Sequence, residues 1–161
     1  MVQRTPVATA ALHEVDETAW LEATAELIRH GRLDAVEWDI LAEYLTDMAK
    51  RDRREVYSRL VVLLSHLLKW EYQPDRRSGS WQGTILEQQR ELRQLLESGT
   101  LRNHADAVFA DAYSDARKQA AAETGLVRRA FPEECSWDLD GALADRGEDA
   151  EPGAGADQPR E

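Results

Sequence analysis

Hydrophobic residues recur at helical spacing along most of the chain, and they are densest between residues 52 and 73. Two neighbouring apolar stripes run along this segment: Val56, Leu60, Leu63, Leu67 and Trp70 form the first, and Tyr57, Val61, Leu64 and Leu68 form the second. A helix that is apolar over more than one face has to be covered on several sides. The pattern therefore predicts a central helix that is buried in a bundle and ends at Pro74, since proline cannot continue a helix.

Shorter segments before and after the central one show the same period of about 3.6 residues. They predict four further main helices and one short helix, at about residues 16–31, 34–48, 80–98, 100–125 and 136–143. No segment combines strand-like alternation with hairpin turns. The sequence thus predicts an all-α fold, namely a single-domain bundle of five main helices plus a short C-terminal helix around the buried central helix.

Short polar residues mark the predicted helix starts. Asp16, Ser80 and Ser136 can each accept a hydrogen bond from the first N–H groups of the helix that follows. Asp34 with Glu37 three residues later resembles a capping box in front of the second helix. The apolar residues that this second helix is predicted to bury are Ile40, Leu41, Tyr44, Leu45 and Met48.

Only some of the predicted helix ends carry a residue that typically stops a helix. Gly31 and Gly125 follow the first and fifth predicted helices, and glycine readily adopts the left-handed conformation that closes a helix. Residues 50–55, between the second helix and the central one, are all charged and include neither glycine nor proline. Two separate helices and one continuous helix both fit residues 49–52.

Composition divides the chain into an arm, a domain and a tail. Residues 1–12 are small, polar and aperiodic, which predicts a flexible arm and no signal peptide. Residues 145–161 are rich in Gly, Pro, Ala and acids, which predicts a disordered acidic tail. The helical bundle is expected to occupy residues 13–144, because a chain of 161 residues suffices for one core of ordinary size.

Charge limits the classes of partner. The net charge is −11, yet residues 50–102 carry eleven bases and seven acids, between acidic flanks. Such a chain repels nucleic acid at long range, so nucleic-acid binding is unexpected and could use only the basic middle segment. A protein partner or self-association is expected instead.

The apolar run Leu60–Leu68 is shorter than the roughly 20 residues of a membrane span, so no membrane contact is expected. Cys135 cannot form an internal disulfide, because it is the single cysteine, and this fits a reducing cytoplasm.

His66 and Lys69 are the first candidates for chemistry. They lie one helical turn apart, and a carboxylate beside the imidazole would make a general base. The candidate carboxylates, all on the first two predicted helices, are Glu22, Glu26, Asp39 and Glu43. No second histidine follows His66 at metal-binding spacing, and neither a metal nor a cofactor is indicated. A hydrogen-bonded core histidine is the favoured interpretation.

The second candidate is an anion site at the start of the fourth helix. Arg76, Arg77, Ser78 and Ser80 crowd a position where unpaired backbone N–H groups and the helix dipole favour a phosphate. The glycine spacing matches neither a P-loop nor a dinucleotide fingerprint. A solvated loop whose Ser80 only caps the helix is therefore favoured over a phosphate site.

Several strings of the sequence together resemble one family. They are HLLKWEYQP (His66–Pro74), RSGSW (Arg77–Trp81), TILEQQR (Thr84–Arg90) and FPEEC (Phe131–Cys135). In this order they resemble a bacterial family, notably of cyanobacteria and proteobacteria, known as domain of unknown function, family 29. The resemblance covers about Leu12–Leu143, and it implies a small all-helical protein with no known activity.

The chain departs from that family at one place. Between its second and third helices the family usually has Gly and then Ser, where this chain has Ala49 and Arg51. Neither alanine nor arginine stops or caps a helix in the usual way, so the sharp break that the family pattern implies is in question here.

Two functions fit these observations. The first is a non-enzymatic protein-interaction or regulatory module, favoured because no strong catalytic string occurs. The second is a small enzyme for a phosphorylated substrate or a nucleic-acid end, with His66 and Lys69 as the reacting groups and Arg76 and Arg77 as phosphate holders. The enzyme hypothesis requires the His66 imidazole to open into a cleft within reach of those arginines.

Overall fold

The computed structural model describes residues 9–145, with side chains from Leu12 onward. These residues form six α-helices and three short 3-10 turns, and no strand occurs among them. The helices are α1 (Thr9–Val15), α2 (Glu17–Arg29), α3 (Trp38–Tyr72), α4 (Gly79–Leu95), α5 (Gly99–Thr124) and α6 (Leu139–Leu143). The predicted all-α class is confirmed. The predicted arm overlaps α1 at residues 9–12, and its residues 1–8, like residues 146–161 of the predicted tail, lie outside the described residues.

The second predicted helix and the central one form a single helix. α3 runs for 35 residues from Trp38 to Tyr72, straight through the charged segment 50–55. Nothing in that segment interrupts the backbone hydrogen bonds, because it contains neither glycine nor proline. The predicted start at Asp34 is wrong, since Leu33–Ala35 form a 3-10 turn and Val36, which follows in an extended conformation, delays the helix.

Two compact units make up the described chain, the first ending at Lys50 and the second beginning at Arg51. In the first unit, Trp20 is fully buried on α2. Its ring centroid lies 4.7 Å from that of His13 and 5.5 Å from that of Tyr44, both edge to face. The Asp16 carboxylate accepts the Ala19 N–H at 3.0 Å, which confirms the predicted cap. The first unit is thus organised around one aromatic group.

The predicted burial along the second helix is wrong at Leu45. Leu45 is 59% exposed, whereas Ile40, Leu41, Tyr44 and Met48 are half-buried. Trp20 packs against Tyr44 on one side of α3, so the Leu45 side of the helix stays uncovered within this unit. The stripe drawn from sequence spacing alone was too wide by this one residue, since the other four positions are half-buried.

The second unit contains the main core. α3 contributes Val56, Leu60, Leu63, Leu64, Leu67 and Leu68, each fully buried. Around them pack Ile85 and Leu92 of α4, Ala105, Ala112, Tyr113, Ala116 and Ala120 of α5, then Phe131 and the apolar side of α6. The small alanine side chains allow close approach of α5, and the buried central helix is confirmed.

Two predicted caps are displaced by two residues. Ser78, not Ser80, accepts the Trp81 N–H at 3.3 Å, because α4 already begins at Gly79 and places Ser80 inside its first turn. Asp138, not Ser136, accepts the Gly141 N–H at 2.7 Å in front of α6. In each case two short polar residues compete for the cap, and the sequence alone does not rank them.

The two predicted glycine stops are confirmed. Gly31 and Gly125 have φ angles of 67° and 72°, in the left-handed region where a side chain is unfavourable. Gly125 closes α5 directly, and its N–H donates to the Ala121 carbonyl. The long alanine-rich helix therefore ends at the position that its sequence predicts.

Candidate functional site

His66 and Lys69 of α3 meet Glu123 of α5 in the second unit. The Lys69 ammonium group donates to the Glu123 carboxylate and lies 3.4 Å from His66 Nε2. Gln119 donates to the other oxygen of Glu123 at 2.8 Å. Lys69 is only 4% exposed, which is exceptional for a lysine and is tolerated here because an opposite charge meets it. These groups form a polar cluster against the main core.

The histidine tautomer follows from its two contacts. His66 Nδ1 lies 2.9 Å from the Val62 carbonyl oxygen, which can only accept, so Nδ1 carries the proton. The lone pair of Nε2 then accepts from the Lys69 ammonium group. His66 is therefore held neutral and Lys69 charged. The nitrogen that a general base would use is already occupied by Lys69.

An aromatic ring completes the surroundings of Lys69. Its Nζ lies 5.1 Å from the centroid of Trp81, on α4, within the range of a cation–π interaction. The lysine thus contacts a carboxylate, an imidazole and an aromatic face. Because these contacts satisfy its charge, Lys69 is suited to joining α3, α4 and α5 rather than to attacking a substrate.

Both titratable partners of Lys69 have shifted pKa values. Burial lowers the pKa of His66, and the positive charge of Lys69 lowers it further, against the opposing effects of the Val62 hydrogen bond and the Glu123 charge. Burial alone would raise the pKa of Glu123. The hydrogen bonds from Lys69 and Gln119 outweigh it, and the pKa of this carboxyl is lowered.

We expect the protein to lose stability in acid in two steps. A histidine whose folded pKa lies below its ordinary 6.5 binds its proton more readily when unfolded. Its contribution is therefore complete above pH 6.5 and declines as the pH falls through the window down to the lowered pKa. Glu123 adds a second loss below its ordinary 4.5. Urea unfolding between pH 7.5 and 3 should show both steps, and His66→Gln should remove only the upper one. An unchanged upper step in that variant would contradict the assignment.

The Arg76–Ser80 loop has partners of its own. Arg77 Nε donates to the Trp70 carbonyl at 2.8 Å, and its guanidinium lies 5.0 Å from the centroid of the Trp70 ring. Ser78 accepts the Trp81 N–H through its hydroxyl and the Gln82 N–H, at 3.1 Å, through its carbonyl. Both N–H groups were candidates for an anion, so fewer donors are available than the sequence indicates. The anion site stays a prediction.

The reacting groups and the phosphate holder of the enzyme hypothesis therefore bind different partners in the structure. Among the described contacts, His66 pairs with Val62 and Lys69, while Arg77 pairs with Trp70. The carboxylate of the histidine cluster comes from α5, which sequence reasoning had not considered for this role. Separation along the chain conceals it, since Glu123 lies 54 residues from Lys69.

A buried arginine was also missed. Arg117 of α5 is 9% exposed, and its Nη2 donates to the Phe131 carbonyl at 3.1 Å. Nearby, the Tyr113 hydroxyl donates to the Pro132 carbonyl at 2.9 Å, and burial raises the pKa of Tyr113 to about 12. Together these side chains fix the segment after α5 to the core. The half-buried Cys135 packs against the same core.

A groove of about 420 Å³ lies beside the end of α4 and α6. Arg93 and Arg102 line it, but Arg93 pairs with Asp145 at 2.6 Å and Arg102 with Asp140 at 2.8 Å. The charges of the groove are therefore balanced by its own carboxylates. Within residues 9–145, no three His, Cys, Asp or Glu side chains are grouped to hold a metal ion.

The fold and its polar clusters define a small all-helical protein whose two buried cations, among the described residues, each have a partner: Lys69 binds Glu123, and Arg117 binds the Phe131 carbonyl. Among the described residues, no helix combines the length and the apolar content that a membrane crossing requires. The chain belongs to the family described as Domain of unknown function DUF29, whose model matches residues 12–146. Neither a curated protein nor a solved structure matches the chain. The resemblance drawn from the sequence strings is thereby confirmed.

Proposed function

We propose that this protein is a non-enzymatic protein-interaction module that acts in the cytoplasm. The observation that carries the proposal is the distribution of exposed apolar side chains. Of the nine large apolar side chains exposed in the described part of the chain, five lie before Arg51: Val15, Ile28, Leu33, Trp38 and Leu45. The first unit is the smaller one, so its surface is the more apolar for its size.

Exposed apolar residues are ordinary when they are scattered singly, but a concentration of them indicates a contact surface. Residues 14–47 also carry ten acids and two bases. This combination of apolar side chains with one sign of charge is typical of a surface that selects its partner by charge and binds it by burial. Whether the module has a regulatory role then depends on the identity of the partner that it binds.

The enzyme alternative has less support. Its proposed base, His66, accepts from Lys69, and Lys69 is held by Glu123. Its proposed phosphate holder, Arg77, is bound to Trp70. Both groups would have to give up these contacts before they could reach a substrate, whereas the exposed apolar surface of the first unit requires no rearrangement.

Capture from the native host tests the proposal. The tagged wild-type chain is compared with a fourfold variant, in which serine replaces Val15, Ile28, Leu33 and Leu45, and with a matched control, in which serine replaces Leu86, Leu126 and Val127 of the second unit. We expect one stoichiometric partner on the wild type and on the control, and its loss on the fourfold variant. Mass spectrometry identifies the partner.

A further variant separates the two functions. Lys69→Met with His66→Gln should retain the partner, because these residues lie outside the first unit. Should the fourfold variant lose its cooperative melting transition, the pairs Val15/Ile28 and Leu33/Leu45 are tested separately. Retention of the partner by every correctly folded surface variant, or a copurifying small molecule that is lost only with His66 and Lys69, would overturn the proposal.

A further inference from the structure

One apolar strip on α3 has the spacing of a helix-binding surface. Trp38, Ala42, Leu45 and Ala49 are all exposed and follow one another at intervals of four, three and four residues. Such positions lie above one another on one side of a helix. On the other side of this part of α3, the Tyr44 ring packs 5.5 Å from that of Trp20. The strip is therefore the apolar part of the side of the helix that the first unit leaves uncovered.

The sizes of the side chains suit a partner helix. Large and small residues alternate along the strip, so Ala42 and Ala49 leave recesses next to Trp38 and Leu45. Side chains of a second helix fit into such recesses when ridges pack into grooves. The eleven steps from Trp38 to Ala49 correspond to about 16 Å, or three turns, which is the length of a short recognition helix.

The charge next to the strip specifies the edge of that helix. Asp39 and Glu43 are exposed and one turn apart; Asp39 flanks the strip, and Glu43 lies further round the same exposed side of α3, from which its longer side chain can reach the edge of a partner. Among the described contacts, neither carboxylate forms an ion pair, whereas the neighbouring Asp47 binds Lys50 at 3.2 Å. Two uncompensated carboxylates beside an apolar strip favour a partner with basic residues at the matching edge.

We propose that this strip binds an amphipathic helix of another protein, whose apolar side covers Trp38 and Leu45 and whose edge carries Lys or Arg facing Asp39 and Glu43. The inference rests on the proposed function and adds the chemistry of the partner. A second copy of this chain is the poorer occupant, because pairing two such acidic segments would bring together like charges.

Synthetic helices test the partner chemistry. The first probe has a Leu/Ala apolar side with Lys and Arg edges, the second has Glu edges, and the third keeps the basic edges but replaces the apolar side by Ser. We expect saturable binding of the first probe alone, with amide chemical shifts that move mainly between residues 38 and 50. Leu45→Gln should weaken it by roughly tenfold, as truncation of a central contact does.

The charge contribution is tested separately. Glu43→Gln should weaken the basic probe by about threefold at low salt and reduce the salt dependence of its binding. The exposed residues Leu86 and Glu87 of α4 supply the matched controls. Leu86→Gln and Glu87→Gln should leave the affinity unchanged. Both glutamines keep a side chain of similar length and high helix propensity, so the folds of the variants remain comparable.

Three results would overturn the inference. Equal binding of the Glu-edged probe would remove the charge preference, and equal binding of the Ser probe would reduce the contact to charge alone. Sedimentation that shows a dimer without any probe, dissociated by Leu45→Gln, would assign the strip to a second copy. If the basic probe fails while capture of the native partner still depends on the apolar surface, only the partner chemistry is wrong and the proposed function stands.

Discussion

Replacing Leu64 by alanine is expected to lower the free energy of unfolding by about 2–5 kcal/mol, the range for truncating a leucine in a packed core. Leu64 is fully buried, and so are Leu60, Leu63, Leu67 and Leu68 along the same helix. The loss combines the transfer of the removed methyl groups with the cavity that they leave. Because dense side chains surround the site on several sides, little collapse into the cavity is expected. Urea unfolding at neutral pH measures the change.

The matched control lies on the same helix. Leu45→Ala removes the same atoms at an exposed position and should change the free energy of unfolding by less than about 0.5 kcal/mol. Helix propensity favours alanine slightly at both positions, so the difference between the two variants isolates burial. Equal losses for the two variants, or a loss below about 1 kcal/mol for Leu64→Ala, would place the core elsewhere.

The contrast between these leucines shows how far periodicity predicts burial. Around Leu64 two full stripes coincide, and no placement of neighbours could leave both uncovered. Around Leu45 the stripe is narrower, and the first unit covers the side of the helix that carries Tyr44, whose ring packs against Trp20, while Leu45 stays exposed. Periodicity alone does not reveal where that contact falls. The core residues of the second unit were therefore predictable, whereas the side of α3 that is covered in the first unit was not.

Helix boundaries were predictable where a residue type leaves one choice. Gly31 and Gly125 adopt positive φ angles at the ends that they mark. Ser80 was predicted to cap α4, but α4 begins at Gly79, and the hydroxyl of Ser78, two residues earlier, accepts the Trp81 N–H instead. The charged joint inside α3 gave no local signal for a break, and the structure has none. The sequence therefore predicts a helix boundary reliably only where one residue, and no neighbour of the same kind, can cap or stop the helix.

The polar clusters were the least predictable part. His66 and Lys69 were found because they lie one turn apart, but their carboxylate partner, Glu123, comes from a distant helix. The pairing depends on how α3 and α5 pack, which no local spacing encodes. Arg117 gave only a weak signal, as a charged residue within the alanine side of α5, and its partner is a backbone carbonyl that sequence cannot specify.

Removing the charge of Glu123 should lower the free energy of unfolding, because the charge of the buried Lys69 would then lose its partner. In Glu123→Gln the lysine keeps a hydrogen-bond acceptor of the same shape but loses the opposite charge. Breaking a fully buried ion pair costs about 3–5 kcal/mol, and the partial exposure of Glu123 (38%) lets water replace part of the lost interaction. We therefore expect a loss of about 2–3 kcal/mol in the free energy of unfolding at pH 7.5.

A second substitution separates the burial of charge from the loss of packing. Adding Lys69→Met to Glu123→Gln removes the buried ammonium group and keeps an apolar side chain of similar length, so most of the lost stability should return. For comparison, Asp47→Asn breaks the exposed pair with Lys50 and should cost less than about 1 kcal/mol. If Glu123→Gln were as mild as Asp47→Asn, or the double variant no more stable than Glu123→Gln, the buried lysine would not depend on its carboxylate. The cluster joining α3 and α5 would then be held by packing alone, and its charges would be available for another role.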